Sequence, residues 1–400
     1  MGCVKLWRWP VVVALALLLV FSGAAWAEEG VSKDEIKIGG IVDLSGPIAF
    51  MGKGVSDGAK LYFKYLNDKG GIYGRKINYI LEDDGYQSPA AVQAAKKLVV
   101  GDKVFCIFMV LGSAQCNAMY PFLESKGVPL ITPGTQNRDM GVPPRKYLFL
   151  ADPHYTLQGK LAVEYIVEDM RIKKPKIAVL YQDDAPGHDW RNGVSIGAKH
   201  YGLDQLDLPY KRGTVDFSAQ IARCKNEGIT HILMWTLIRE PAILMKEAQR
   251  LQYKATYFTS TASNDKKCID LAGDAVDYSN GFYALSMVYD VNTQNTPRIK
   301  EYKQNIAKYN LGRIDNFYNL YGYQAAVTLT EGIRRAGKNL TREGLIKALE
   351  SFKAFDNGIL SPITWGPNRR AGGSSIRVDK AEKGIWTPVS KWRFSKIKEE

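Results

Sequence analysis

The chain has 400 residues, a formal net charge of +13 and a hydrophobic fraction of 46%. This length and composition allow two domains with a large core, which excludes a disordered chain and a small fold that depends on metals or disulfides. Lysines and arginines are interleaved with acidic residues rather than clustered, so we do not expect nucleic acid as a partner.

The first 27 residues have the layout of a secretory signal peptide. Lys5 and Arg8 precede an apolar run over residues 11–21, and small residues ending in Ala25-Trp-Ala27 follow. The run is shorter than the ~20 residues that span a bilayer, and this order is typical of a cleaved leader. The sequence therefore predicts a mature chain that begins near Glu28 in the periplasm. An uncleaved N-terminal anchor is the alternative.

Strands and helices alternate after the leader. Strands are expected at residues 36–42, 77–81, 104–110 and 128–132, with helices at 58–67, 89–100 and 117–125. The pattern then restarts, with strands at residues 176–181, 229–235 and 256–259 and helices at 157–169, 190–200, 217–226 and 241–251. This alternation indicates two successive α/β units with parallel sheets and right-handed crossovers.

The last 120 residues are too many for a cap on the second unit. Extended segments are expected at residues 281–288, 358–365 and 386–394, with helices at 296–309, 321–336 and 341–349. We predict that the chain returns to the first lobe and then crosses again to the second. The predicted first lobe comprises residues 28–150 and 286–357, and the second comprises 151–285 and 358–400, with three crossings as a hinge. The fold class is α/β, with two Rossmann-like lobes around parallel-rich central sheets.

Cysteine and histidine spacing gives no metal motif. Cys106, Cys116, Cys224 and Cys268 could be buried free thiols or could form one disulfide, because an oxidising compartment permits both. The four histidines are isolated in the sequence. We therefore expect no metal and no cofactor.

One motif suggests a serine hydrolase. Gly54-Val-Ser-Asp-Gly58 matches the GxSxG pattern, in which a strand leads directly into a turn that exposes the serine. Here a predicted loop over residues 43–53 separates strand and motif. We therefore interpret Ser56 as a residue at the start of a helix. An exported hydrolase that uses Ser56 is the alternative function.

Two polar loops are stronger candidates for a binding site. Residues 111–115 (LGSAQ) and 132–137 (TPGTQN) each follow a predicted strand. Ligands of open parallel sheets bind beyond the carboxyl ends of the strands, and hydroxyls with free backbone N–H groups there can hold an anion. The hypothesis is a carboxylate site, and simple helix capping by Ser113 and Thr135 is the alternative.

These loops lie within a wider set of matching motifs. The set comprises Ile36-Lys-Ile-Gly39, Asp43-Leu-Ser-Gly-Pro47, Gly52, Gly58, Leu66-Asn-Asp-Lys-Gly-Gly-Ile-Tyr-Gly74, Glu82-Asp-Asp84, Pro89, Gly112-Ser113, Thr132-Pro-Gly-Thr135, Phe217 to Lys225 and Ala248-Gln-Arg-Leu251. Together they cover nearly all of the mature chain. The chain resembles the periplasmic solute-binding proteins of ABC importers, of the branched-chain amino-acid (Leu/Ile/Val) binding type with the type I periplasmic binding fold.

The resemblance implies two lobes that close on a small ligand, and a protein that is not an enzyme. Its partners would be a solute and the permease subunits of an ABC importer, and we expect a monomer. By motif, the ligand-binding residues would be Met51, Ser113, Gly134, Thr135, Gln136, Pro186, Trp235, Thr236, Leu237, Thr261 and Tyr321. Ser113, Gly134, Thr135 and Gln136 would hold a carboxylate, and Met51 would line a side-chain pocket.

The sequence departs from the family pattern in the second lobe. Residues 259–262 (TSTA) contain no acid where amino-acid binders place a carboxylate for the ligand's ammonium group, and Pro186 replaces an aromatic residue. A buried ammonium group without a partner is costly. The expected solute is a small, partly apolar compound that bears a carboxylate, either an amino acid or an aromatic acid. The missing partner for an ammonium group favours a neutral or acidic compound such as an aromatic carboxylate, with Trp235 and Tyr321 as stacking surfaces. A periplasmic ligand sensor is a further alternative.

Overall fold

The structure, a computed structural model, describes residues 28–312, 314 and 316–397. The expected signal peptide at residues 1–27 lies outside that part of the chain. No helix within the described ranges is long and apolar enough to cross a membrane. Two sheets, each covered by helices, form the centres of two lobes.

The two sheets are built from the following strands. In chain order they are β1 (Glu35–Val42), β2 (Lys76–Asp83), β3 (Cys106–Val110), β4 (Leu130–Ile131), β5 (Leu148–Phe149), β6 (Ile177–Gln182), β7 (Gln205–Tyr210), β8 (His231–Trp235), β9 (Thr256–Thr259), β10 (Gly281–Ser286), β11 (Ser375–Glu382), β12 (Ile385–Pro388) and β13 (Arg393–Phe394). The first sheet has the order β2-β1-β3-β4-β5 and is parallel throughout. The second has the order β12-β11-β10-β9-β8-β6-β7, with β13 also paired to β11.

Helices cover both faces of these sheets. In chain order they are α1 (Ala49–Asp68), α2 (Ser88–Lys96), α3 (Ser113–Ser125), α4 (Arg138–Gly141), α5 (Tyr155–Glu164), α6 (Ala185–His200), α7 (Ser218–Asn226), α8 (Glu240–Arg250), α9 (Lys266–Ala272), α10 (Ala275–Tyr278), α11 (Pro297–Tyr309), α12 (Phe317–Ala336) and α13 (Arg342–Glu350). α1 and α12 pack closely against each other. A Cβ on Gly322 would lie 1.9 Å from the Val55 carbonyl oxygen, so only glycine permits this approach.

Parallel strands in the middle of each sheet are buried on both faces. β3 and β8 are fully buried along their length, which explains their continuous apolar sequences. Three strands at the edge of the second sheet differ from these central strands, because they pair in antiparallel fashion: β11, β12 and β13. The predicted α/β architecture with parallel-rich sheets is confirmed by these sheets.

The chain passes between the lobes three times. The first crossing follows β5 and leads into α5, the second follows β10, and the third precedes β11. Residues 359–365 pack in the core of the first lobe, where the Trp365 indole N–H donates to the Leu150 carbonyl at 2.7 Å. The chain therefore leaves the first lobe after Gly372, whose N–H also donates to the Leu150 carbonyl. The exact division of the chain into lobes stays a prediction.

Several element boundaries differ from the sequence-based expectations. α1 begins at Ala49 rather than at Gly58, because the Asp43 carboxylate accepts the Ile48 N–H at 2.8 Å and so fixes the loop before the helix. β7 and β11 were not predicted. The expected strand over residues 386–394 is divided into β12 and β13, and residues 358–365 are extended but make only isolated bridges.

All four described cysteines are buried and none forms a disulfide. Cys106 lies on β3 and Cys116 on α3, whereas Cys224 and Cys268 lie on α7 and α9 of the second lobe. Of the two states that the sequence left open, the structure shows free thiols.

Candidate functional site

A cavity of about 110 Å³ lies between the two lobes, at the carboxyl ends of their parallel strands. Loops that follow β1, β2, β3 and β4 form one wall, and loops that follow β5, β6, β7, β8 and β9 form the other. It is lined by Ile48, Met51, Tyr86, Leu111, Gly112, Ser113, Ala114, Gly134, Tyr155, Asp184, Ala185, Pro186, Arg212, Trp235, Leu237 and Ala262. This is the edge at which open parallel sheets bind ligands.

Met51 reaches the cavity because the preceding loop is held by one carboxylate. Asp43 accepts backbone N–H groups from Ser45, Gly46 and Ile48. Gly52 then passes so close to Asp43 that a Cβ would lie 1.7 Å from the Asp43 carbonyl oxygen. The first turn of α1 is thereby fixed against the end of β1, with Met51 facing the cavity.

The amino terminus of α3 forms the polar end of the cavity. Gly112 precedes the helix with a φ of 100°, which favours glycine, and no side chain caps the helix. The Ser113 and Thr135 hydroxyl oxygens lie 2.6 Å apart. They are held there because the Gly134 N–H donates to the Val110 carbonyl at 2.7 Å, which extends the pairing of β3 and β4. Uncapped N–H groups and the helix dipole favour an anion at this point.

The second lobe contributes an aromatic and apolar wall. Asp184 caps α6 by accepting the Gly187 N–H at 3.2 Å, and Pro186 lies in the first turn of that helix. Trp235 ends β8 and packs edge-to-face against Tyr155, with ring centroids 5.5 Å apart. The Trp235 indole N–H is buried without a well-aligned acceptor.

Arg212 and Tyr86 are cavity residues that the sequence analysis did not find. The Arg212 guanidinium carbon lies 4.7 Å from the centre of the Tyr86 ring, which belongs to the opposite lobe. Its Nη2 atom lies 3.3 Å from Asp184 Oδ2. Burial raises the pKa of Tyr86, so that the ring stays neutral beside the cation. Tyr86 follows a strand that the sequence predicts, whereas β7, which precedes Arg212, gave no strand signal.

The structure separates the eleven candidate residues into two groups. Met51, Ser113, Gly134, Pro186, Trp235 and Leu237 line the cavity. Thr135, Gln136, Thr236, Thr261 and Tyr321 lie behind it and are engaged in buried hydrogen bonds. A role in binding stays a prediction for all eleven.

A buried polar network lies under the cavity at the first crossing. The Asp152 carboxylate accepts hydrogen bonds from the Tyr321 hydroxyl and from Gln136 Nε2. Burial raises the pKa of Asp152 to about 6, and these two hydrogen bonds oppose that rise. Gln136 Oε1 in turn accepts from the Thr261 hydroxyl of the second lobe at 3.3 Å. The network therefore connects the hinge to both walls of the cavity.

Further hydrogen bonds join the lobes directly, among them two that lie near the cavity walls and one from the Phe317 N–H to the Asp265 carboxylate at 2.9 Å. Asp189 on α6 accepts the Arg138 N–H of α4 at 2.8 Å. The Tyr318 hydroxyl of α12 donates to the Ala262 carbonyl at 2.6 Å. The lobes are thus in contact, and the structure represents a closed form.

The hydrolase alternative finds no geometric support. Ser56 is 1% exposed, and its hydroxyl donates to the Lys53 carbonyl at 3.0 Å within α1. It is therefore not presented to a substrate as the motif requires. No group of three or more His, Cys, Asp or Glu side chains in the described ranges is arranged to hold a metal ion.

Comparison with known proteins agrees with the fold. The Leu/Ile/Val-binding protein homolog 1 of Brucella suis biovar 1 is 25% identical over 380 residues, which cover 94% of this chain and 97% of that protein. A fatty acid ABC transporter substrate-binding protein from Thermomonospora curvata superposes with a TM-score of 0.81 at 25% identity, covering 92% of this chain and 95% of the other.

A branched chain amino acid ABC transporter protein from Thermus thermophilus with bound valine superposes with a TM-score of 0.82 at 22% identity, covering 92% and 98% of the two chains. The model of the periplasmic binding protein family matches residues 35–384. The resemblance inferred from the sequence is thereby confirmed, and the chain belongs to the periplasmic binding protein family.

Proposed function

We propose that the chain is the extracytoplasmic solute-binding component of an ABC importer, and that it captures a small, partly apolar solute through a carboxylate. The observation that carries this proposal is the uncapped amino terminus of α3, which opens into a cavity between two lobes. The export that residues 1–27 predict would place the protein outside the inner membrane.

The polar end of the cavity suits a carboxylate. The Ser113 and Thr135 hydroxyls share one hydrogen bond, so that one of the two protons remains available to a ligand. Free N–H groups in the first turn of α3 add further donors, and hydrogen bonds to an ionised acceptor are stronger than neutral ones. A carboxylate satisfies several of these donors at once.

The rest of the cavity suits an apolar group. Met51, Leu111 and Leu237 line it together with the Trp235 ring. The Thermomonospora protein is described as a fatty acid binder, and the Thermus protein holds valine. Both of those ligands join a carboxylate to an aliphatic chain, which supports the same class of solute here.

Binding is expected to act by a shift of population between open and closed forms. A solute that touches both walls gains contacts only when the lobes close, so its differential affinity favours closure. The three crossings provide a hinge, and closure presents a surface that a permease can recognise. Binding in this proposal makes and breaks no covalent bond.

The proposal is tested with Ser113→Ala. Native mass spectrometry of protein purified without denaturation identifies a co-purified solute, and titration calorimetry then measures its affinity. We expect Ser113→Ala to lose ~1–3 kcal/mol of binding free energy, because a buried carboxylate then lacks a donor. Ser125→Ala, at the opposite end of α3, is the matched control and should bind as the wild type does. Equal affinities for all three proteins would contradict the placement of the carboxylate.

A further inference from the structure

The charged groups of the cavity are few. Among its lining residues only Asp184 and Arg212 carry charge, and both belong to the second lobe. Their side chains are paired through Arg212 Nη2 and Asp184 Oδ2 at 3.3 Å. The state of this pair therefore decides which charge the cavity can offer to a solute.

Asp184 already has its hydrogen-bond partners. Its Oδ1 atom accepts the Gly187 N–H at the start of α6. Its Oδ2 atom accepts from Gln182 Nε2 as well as from Arg212. A carboxylate that caps a helix, accepts an amide and pairs with a guanidinium has little capacity left for a ligand's ammonium group.

Arg212, by contrast, has donors to spare. A guanidinium carries five N–H groups, and within the described chain its only hydrogen bond goes to Asp184. Its side chain is 48% exposed and stacks on Tyr86 of the first lobe. The free donors are therefore held over the cavity by a contact that exists only when the lobes are closed.

Several further donors lie around the cavity. Its donors include the first turn of α3, the Trp235 indole N–H and the Arg212 guanidinium. The backbone acceptor at Ala262 is already used by the Tyr318 hydroxyl. An ammonium group brings three more donors and would leave several polar groups unpaired, which a closed site strongly disfavours.

We propose that Arg212 is a specificity-determining residue that makes this cavity select carboxylic acids without an ammonium group. The inference rests on the proposed function and narrows its solute class. Arg212 would donate to the acid or to a second oxygen on the solute, while Tyr86 holds the guanidinium in place. Amino acids of the same carbon skeleton would bind more weakly, because their ammonium group meets an excess of donors.

Titration calorimetry on two matched pairs of ligands tests this inference: 4-methylpentanoate with leucine, and 3-phenylpropanoate with phenylalanine. We expect the wild type to bind the deaminated member of at least one pair at least tenfold more tightly. Arg212→Gln should weaken acid binding about tenfold and reduce the preference, and Arg212→Lys should restore part of it. Lys211→Gln, an exposed neighbour with the same change in charge, should leave both unchanged.

The outcomes separate this inference from the proposed function. Tighter binding of the amino acids, or an unchanged preference in Arg212→Gln, would overturn the role of Arg212 and leave solute capture intact. Failure of all four compounds to bind the wild type would overturn the proposed solute class and this inference together. Circular dichroism and thermal unfolding of the variants exclude loss of the fold, which is not expected for a half-exposed side chain.

Discussion

Asp152 illustrates how a buried carboxyl contributes to the pH dependence of this protein's stability. Its pKa is raised to about 6 by burial at the first crossing. A carboxyl with a higher pKa in the folded chain than in the unfolded one binds its proton more tightly when folded. Between about pH 4 and pH 6 the folded chain therefore holds more protons, and the free energy of unfolding falls as the pH rises.

We predict that Asp152→Asn makes this fall shallower. Burial also raises the pKa of Asp84 and of Asp189 to about 6. The variant should therefore remove only the contribution of Asp152 to the fall in the free energy of unfolding, which is on the order of 2–3 kcal/mol between pH 4 and pH 7. Denaturant unfolding at several pH values measures the slope. Asp204→Asn, an exposed carboxyl, is the control. Identical slopes in Asp152→Asn and wild type would contradict the assignment.

Single residues of the cavity were only partly predictable. Ser113 and Gly134 follow strongly apolar strands, so their place at the sheet edge could be inferred from the sequence. Arg212 follows β7, whose exposed and polar positions gave no strand signal. The direction of a loop side chain is set by tertiary contacts such as the Tyr86 ring, and no periodicity in the sequence encodes it.

The contact between α1 and α12 brings two helices of the first lobe close together. Gly58 and Gly322 lie on facing surfaces, where a Cβ on Gly58 would meet the Asn319 carbonyl oxygen at 1.8 Å. The obstacle in both cases is backbone, which cannot rotate away as a side chain can. Small residues at such a crossing let the two helix axes approach closely.

We predict that Gly322→Ala destabilises the chain by ~1–3 kcal/mol, because the added methyl group must push the two helices apart. Thermal or denaturant unfolding measures the loss. Gly101→Ala is the matched control, since nothing lies within 4 Å of its added Cβ. Alanine there should be neutral or slightly stabilising through the unfolded state. Equal stability of the two variants would show that the helices can separate without cost.

Elements buried on both faces were predictable, whereas β11 was not. β3, β6 and β8 appear in the sequence as largely continuous apolar runs, as central parallel strands do. β11 carries Arg377 and Asp379, whose side chains form a buried bidentate pair at 2.7 and 3.1 Å. The two charges neutralise each other only after the strand has formed, so the sequence alone indicates an exposed segment.

At the scale of the whole molecule, the balance between open and closed lobes should determine affinity. Asp189 does not line the cavity, but it bonds to the Thr156 hydroxyl within the second lobe and accepts the Arg138 N–H of the first. This carboxylate therefore stabilises only the closed form. A solute binds more weakly when the closed form is less populated, in proportion to that population.

We predict that Asp189→Ala shifts the unliganded protein toward the open form and lowers solute affinity about three- to tenfold. Small-angle scattering should give a larger radius of gyration without solute, and calorimetry gives the affinity. Asp139→Ala, an exposed acid on α4, is the control. Unchanged scattering and affinity in Asp189→Ala would mean that this hydrogen bond does not contribute to closure.

The four thiols buried in the core have a practical consequence. Burial raises the pKa of Cys106 and Cys224 to about 12, and it raises the pKa of Cys116 and Cys268 as well. Only the thiolate reacts with electrophiles, so these side chains are inert at neutral pH. A cysteine engineered at the rim between the lobes would accept a maleimide dye without removal of any of these four cysteines. The protein is therefore suited to use as an optical biosensor for the solute that we propose it binds.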